Sequence, residues 1–473
     1  MKQVPLLFLS FLTLLSIASC MKSSSAEKAN GGSLLYSPVS EIPIESAVKK
    51  LNEFLLGTKM TKAEGGVERH IISIEPHYSP SMKDEAGNAM PDAYLVNYGD
   101  DQGFAILGAN SQVDPVVAVV ERGNTSWSRI FNPPVTSQSA FDMGSLDSGI
   151  NPELLLSMCV RGALYGVQED TTFINRSWNF YYAPLTTNQA FGQQITYCHK
   201  NNRGFVTNGC ASTAISIVMA YNQYPDFWVD YEPIDYTDCN SLDGVGYKYS
   251  FSDGNKIYIQ LNDYFTNSGS IPSTLTTSQK IELLTQADPG VVNTHGTPSV
   301  SSYPNQSFNR TRYKLQSGVF YKLSNIIQSW AATGTMPSAV QTGLEDLGYE
   351  NVSRLKKSSM TSTQIVKIMD MMDAGKPVIM CGWSLFDLDN SHYWVVDGLR
   401  GDDTSTHIHC NWGWSGYQNG WFSTTCIRPT CPVPTSQSGN DWGNIIVYSY
   451  DMKDFVPTRI IHQFADNIPV QYE

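Results

Sequence analysis

The stretch GKPVIMCGWSLFDLDNSHYWVVDGLRGDDTSTHIHCNWGWSGYQNGWF, Gly375 to Phe422, decides the fold. It holds three apolar runs, Pro377 to Cys381, Tyr393 to Val396 and His407 to Cys410, separated by polar or glycine-bearing breaks. That is the pattern of consecutive antiparallel strands. On this reading His392 begins the second strand and Asn411 ends the third. An asparagine oxygen at a neighbouring strand end can accept from one imidazole nitrogen and so fix the ring's tautomer and orientation. Taken alone, the pair has a plainer reading, a satisfied core histidine beside a turn-forming asparagine, and only a nucleophile elsewhere in the chain decides between the two.

The stretch GCASTAISIVMAYNQYP, Gly209 to Pro225, offers one. After Cys210 the apolar residues Ala214, Ile217, Val218 and Tyr221 recur at three- and four-residue steps, which predicts a helix with Cys210 in its first turn and Pro225 just past its end. A thiol there sits at the positive end of the helix dipole beside unpaired backbone N–H groups, and both favour the thiolate, the species that attacks. The competing reading is a buried cysteine acting as a small hydrophobe.

Three stretches carry a resemblance. Thr207 to Pro225, Asn390 to Gly416 with its HYWVVDG and CNWGWSG, and Phe191 to Tyr197 (FGQQITY) together resemble the active-site blocks of the streptopain family of papain-like cysteine peptidases. Gly209, Cys210, Ser212, Thr213 and Ala214 match the helix block, His392, Val395, Asp397 and Gly398 the histidine block, and Asn411, Trp412, Gly413, Trp414 and Gly416 the asparagine block. The resemblance implies Cys210 as nucleophile, His392 as general base and acid, Asn411 as the orienter of His392, and Trp412 as an indole shielding that pair. The glutamine block is only partly kept, with Phe191, Thr196 and Cys198 at positions where the family has other residues. Gln193 falls on its glutamine position, where a side-chain amide would join the Cys210 backbone N–H around the oxyanion, and Gln189 and Gln194 compete for that role. Also implied are an α+β papain-like fold, a helical part plus an antiparallel sheet, preceded by a small α+β propeptide domain. Protein or peptide substrates, an intramolecular propeptide inhibitor and no cofactor go with it. A catalytically silent surface-binding lipoprotein that kept the fold is the alternative.

Composition agrees with a globular chain. The 473 residues are 41% hydrophobic, with 36 glycines and 24 prolines, enough for a large core and many loops. A formal charge of -13 speaks against nucleic acid and against a basic membrane-surface mode. Setting Cys20 and Cys210 aside from nine cysteines leaves an odd number, so at least one further thiol stays unpaired or pairs between chains. Cys426 and Cys431 are close enough in sequence to pair in a loop. A metal site is not indicated: His407, His409 and Cys410 share one short run, but only the two histidines share a strand face and no second ligand cluster follows. Asp387, Asp389 and Asn390 resemble a calcium-loop fragment without the required glutamate.

Residues 1–20 read as an export signal: Lys2, an apolar run from Pro5 to Ile17 too short to span a bilayer stably, and Ile17-Ala18-Ser19-Cys20, which resembles the box cut by lipoprotein signal peptidase. Lipidation of Cys20 would anchor the chain in a bacterial cell envelope without a transmembrane segment, with release possible after processing. Residues 21–172 are expected to form the propeptide domain: a short helix over Ile44 to Leu56, strands at His70 to Ile74, Tyr94 to Tyr98, Phe104 to Leu107 and Val116 to Val120, and a helix from Asn151 to about Gly166. Residues 173–473 are expected to form the peptidase domain, with activation cleavage near 168–178. Ser278 to Gln286 and Ser338 to Leu347 look helical, Tyr303 to Pro337 reads as an insertion, and Asn444 to Tyr450 as a closing strand.

Overall fold

The computed structural model describes residues 39–133, 152–166, 180–186, 196–198, 205–224, 247–260, 336–384, 391–428 and 442–453, apart from 64–65, 85, 208, 253–254, 403 and 415. Helix α1 (Ile44–Gly57) comes first, followed by strands β1 (Ile71–Lys83), β2 (Ala89–Tyr98), β3 (Phe104–Gly108) and β4 (Val116–Val120), then α2 (Trp127–Phe131) and α3 (Pro152–Tyr165). Ala47, Leu51, Phe54 and Leu55 of α1 repeat at helical spacing and are buried against β3 and β4. The expected strand at His70 to Ile74 continues to Lys83 through Pro76 and Pro80. It can do so because β1 is the edge of its sheet, where a missing backbone N–H breaks no ladder bond on the open side. β3 and β4 are apolar without alternation because both their faces are covered: Phe104 and Ile106 enter one core, Ala105 and Leu107 the other.

The second part of the chain supplies β5 (Phe180–Tyr182), β6 (Thr196–Cys198), β7 (Phe205–Thr207), α4 (Gly209–Asn222), β8 (Tyr247–Ser252), β9 (Asn255–Gln260), α5 (Pro337–Asp346), β10 (Tyr349–Lys357), α6 (Ser362–Asp373), β11 (Val378–Ser384), β12 (Ser391–Gly401), β13 (Thr406–Asn411), β14 (Gly420–Ser423) and β15 (Trp442–Met452). The three expected strands are β11, β12 and β13, consecutive and antiparallel, with His392 at the start of β12 and Asn411 at the end of β13. α4 is the expected cysteine helix. Ala211, Ala214, Ile215, Ile217, Val218 and Met219 are all buried, so it is apolar around most of its surface and runs through the core against β12 and β11. α6 and β10 were not expected. Thr361 and Gln364 close a reciprocal capping box at the start of α6, which packs on β12 and β15. The expected helix at Ser278 to Gln286 lies outside the described residues, as does nearly all of the Tyr303 to Pro337 insertion.

The large sheet runs β1-β2-β3-β4-β14-β13-β12-β11-β15-β10, with β5 pairing the end of β12 that β11 does not reach. Its two parts join at β4 and β14, where Gly420, Trp421 and Phe422 face Val120, Val119 and Ala118. A boundary at residue 172 thus divides the chain without dividing the sheet. Side chains reinforce the join. Trp421 packs on Phe54 and Tyr181, Arg400 lies 4.4 Å over the Phe54 ring, and Gly162 of α3 sits so close to the Cys426 carbonyl that an added Cβ would come within 2.6 Å of it. Cys426 is a thiol and donates to the Val117 carbonyl at 3.4 Å, so the loop pairing with Cys431 is not made.

Candidate active site

Cys210 lies in the first turn of α4, half-buried and packed against the main core. The helix lays this turn against β11. Cys381, which faces Tyr393 in the β11–β12 register, has its thiol pushed up by burial, and the neighbouring Cys210 adds to that push. One turn further on, Thr213 meets the loop that follows β13. Gly413 has φ +78°, and a Cβ there would stand 2.9 Å from Thr213 Cγ2, so only glycine allows the loop to approach the helix this closely. The three sequence blocks therefore converge: the cysteine helix, the histidine strand and the asparagine–tryptophan turn.

His392 sits opposite Gly382 of β11 and is 1% exposed. Its ring stacks on Trp414 with centroids 4.7 Å apart, and its Nε2–H donates to the Trp412 carbonyl at 2.9 Å. Burial pushes its pKa down to about 4, with the carbonyl opposing that shift, so the ring is neutral at pH 7 and carries its proton on Nε2. Asn411, 2% exposed, turns elsewhere: Nδ2 donates to Thr186 Oγ1 at 3.1 Å and Oδ1 accepts from the Gly413 N–H at 3.2 Å. The Gly413 N–H and the Trp412 carbonyl belong to one peptide group. That group therefore stands between the asparagine and the histidine, holding the amide oxygen with its N–H and the imidazole with its C=O. Trp412 is fully buried and lies 6.2 Å from the His392 ring, centroid to centroid.

Behind Asn411 runs a buried polar chain. Asp397 Oδ2 accepts from the Thr186 N–H at 2.8 Å and from its hydroxyl at 2.6 Å, and Asp397 Oδ1 accepts from His409 Nδ1 at 2.6 Å. His409 Nε2 reaches Glu121, just beyond β4, at 3.2 Å. Burial alone would lower the His409 pKa, but the Asp397 carboxylate, helped by Glu121, raises it to about 10, and the ring is an imidazolium at pH 7. His407, on the same face of β13, donates to the Val116 carbonyl at 2.7 Å and packs edge-on to Phe54. His407 is thus committed to the N-terminal part of the chain, and His409 links Asp397 to it through Glu121. Thr186 and His409 carry no role in the motif reading, and Asp397 entered it only as a matched position. The signal for Asp397 was a carboxylate set inside the apolar run YWVVDGL, which demands a partner. Gln193, Gln189, Gln194, Cys20, Asp387, Asp389 and Asn390 lie outside the described residues.

Comparison with known proteins finds similar solved structures and a family model that matches. Among solved structures, the chain is similar to a prointerpain A fragment from Prevotella intermedia, at 13% identity and a TM-score of 0.38, over 79% of this chain and 98% of that one. It is also similar to active wild-type interpain A cysteine protease of the same organism, at 15% identity and a TM-score of 0.30, over 59% of this chain and 98% of that one. No curated protein sequence matches. The model of the peptidase C10 family matches residues 179–422, a little over half of the chain, and the match takes in Cys210, His392 and Asn411. With that extent of agreement, and with its three motif blocks folded together, the chain belongs to the peptidase C10 family, the streptopain family of cysteine peptidases.

Proposed function

We propose that the protein is an endopeptidase made as a zymogen, with Cys210 as nucleophile and His392 as the proton carrier. The observation that carries this reading is the convergence of the α4 start, the β12 start and the turn after β13, locked by the Gly413–Thr213 contact. In the working state the Cys210 thiolate attacks the peptide carbonyl and His392 gives its proton to the leaving amine. Gln193 and the Cys210 N–H hold the oxyanion, and water then releases the acyl group while His392 takes a proton from it. Asn411 orients the imidazole, and Trp412 keeps water from that contact.

The N-terminal part is the inhibitory propeptide of this proposal. Supporting it, the N-terminal part is seated on the sheet that carries the site, β4 pairing with β14 and Glu121 reaching His409 behind Asn411. His392 itself has Nε2 committed to the Trp412 carbonyl and its ring stacked on Trp414. In this arrangement the Nε2 proton goes to the Trp412 carbonyl and not to the Asn411 amide oxygen, which takes the Gly413 N–H instead. Cleavage near residues 168–178, followed by rearrangement of the 412–414 turn, would release the imidazole. Cys20 is the proposed lipid attachment point, holding the precursor at the cell envelope.

The test is labelling of the processed protein with an iodoacetamide-type or E-64-type reagent, read by intact mass and peptide mapping. One label per chain on Cys210, lost in Cys210→Ser together with hydrolysis of a protein substrate, is the expected result. Stoichiometric labelling at another cysteine, or hydrolysis that survives Cys210→Ser, overturns the assignment.

A further inference from the structure

The two ends of an asparagine amide are alike in shape and opposite in chemistry: the oxygen only accepts and the nitrogen only donates. To orient an imidazole N–H, Asn411 must present its oxygen, and a flipped amide would present a second donor. A device that decides this polarity is built into the fold. The Thr186 hydroxyl donates its single proton to Asp397 Oδ2 at 2.6 Å, while the Thr186 N–H donates to the same oxygen at 2.8 Å. Thr186 Oγ1 is left with acceptor capacity alone. Asn411 Nδ2 donates to it at 3.1 Å, and a flip would set two acceptors face to face. The amide oxygen is consequently directed toward the Trp412–Trp414 turn on which His392 rests, where it takes the Gly413 N–H. Thr186, Asp397 and Asn411 are each no more than 2% exposed, so bulk water does not compete for these groups. The carboxylate is itself pinned, through His409 at its other oxygen and through the Asp397 backbone carbonyl, which accepts from the Leu185 N–H at 2.9 Å.

We propose that Thr186, locked by Asp397, is a positioning residue for peptide hydrolysis, setting which end of the Asn411 amide faces the catalytic histidine. The inference rests on the reading of Asn411 as the orienter of His392. It gives β5 and the segment after it a function beyond lengthening the sheet: they bring one hydroxyl to the back of the site from more than two hundred residues away in sequence.

The test compares Thr186→Val, which keeps the shape and removes the hydroxyl, with Thr186→Ser, which keeps the hydroxyl. Both are made in the full chain, matured as the wild type is, and assayed on an internally quenched peptide that the wild type cleaves. Thr186→Val is expected to lower kcat about tenfold or more with KM changed less than about twofold, and Thr186→Ser to restore kcat. In an Asn411→Ala background the Thr186→Val effect should vanish, which a purely structural role would not produce. The pH profile of Cys210 alkylation should move in Thr186→Val and not in Thr186→Ser. If the valine variant does not fold, Thr186→Ala removes the same hydroxyl without added bulk and carries the same comparison. Equal kcat for the valine and serine variants, or an undiminished valine effect in the Asn411→Ala background, refutes the inference and leaves the peptidase reading intact. A wild-type protein that neither hydrolyses nor alkylates at Cys210 overturns that reading and this inference with it.

Discussion

Replacing Asp397 by asparagine removes one negative charge from a site that is 1% exposed, and the structure allows its effect to be worked out. The carboxylate faces an imidazolium at Oδ1 and two Thr186 donors at Oδ2. An amide cannot serve both sides: with its oxygen toward His409, its NH2 meets the Thr186 N–H, and flipped, its NH2 meets His409 Nδ1–H. The His409 pKa stands at about 10 in the folded protein against 6.5 for a free imidazole, a raised value. A raised pKa means stability that is fully present below pH 6.5 and lost as pH rises toward 10. That difference corresponds to a ceiling of about 5 kcal/mol. Glu121 still faces Nε2 in the variant, so a loss of about 3–4 kcal/mol at pH 7 is expected, within the range for breaking a buried ion pair. Urea unfolding of the full chain at pH 7 and at pH 10, for wild type and Asp397→Asn, is the assay. The difference between the two proteins should shrink by most of its value between those pH values, while lysine and tyrosine titrations cancel in the subtraction. A variant within about 1 kcal/mol of wild type at pH 7, or a difference that does not change with pH, refutes the ion-pair account.

Other outcomes follow from the same geometry. Cys210→Ser should lower hydrolysis by about three orders of magnitude or more and leave the precursor uncut if maturation is autocatalytic, checked by gel and peptide assay. His392→Ala should lower kcat about 10⁴-fold and Asn411→Ala no more than about 10²-fold, measured as steady-state rates of the matured variants, since in the proposed mechanism one residue carries the proton and the other holds the ring. Gly413→Ala should destabilise the chain by about 2 kcal/mol, because alanine must take the left-handed conformation and push Thr213 away, and the urea midpoint reads it. In the full chain, the His392 pKa of about 4 lies below that of a free imidazole, so stability present above pH 6.5 is lost as pH falls toward 4. The loss reaches at most about 3 kcal/mol and should be absent in His392→Gln, compared by urea unfolding at pH 7 and pH 4.

What was legible from residues alone divides along a physical line. Local periodicity marked α1, α3, α4 and the strands β2 to β4 and β11 to β13, because each of these segments declares its buried face within a dozen residues. β1 was read too short because its two prolines look like terminators until the strand is known to be an edge. α6 begins at a capping box, Thr361 to Gln364, a signal only four residues long. No local pattern could show the β4–β14 pairing or the Thr186–Asp397 contact, since both join segments far apart in sequence whose complementarity exists only once the chain is folded. The motif reading brought Cys210, His392 and Asn411 to neighbouring elements, but it did not contain the peptide group that stands between the last two.

The β4–β14 junction has a consequence for what a single cut in the chain accomplishes. Severing the backbone near residues 168–178 breaks one covalent bond and leaves a ladder and a shared apolar interior untouched, so the nicked molecule remains one particle until something pulls the strands apart. Departure of the N-terminal part would then leave β14 as a bare border, with unpaired N–H and C=O groups in a row and Trp421 newly wetted, a surface to which another extended chain readily adds. In such a molecule the timing of separation, rather than the timing of the cut, governs how long that border stays exposed.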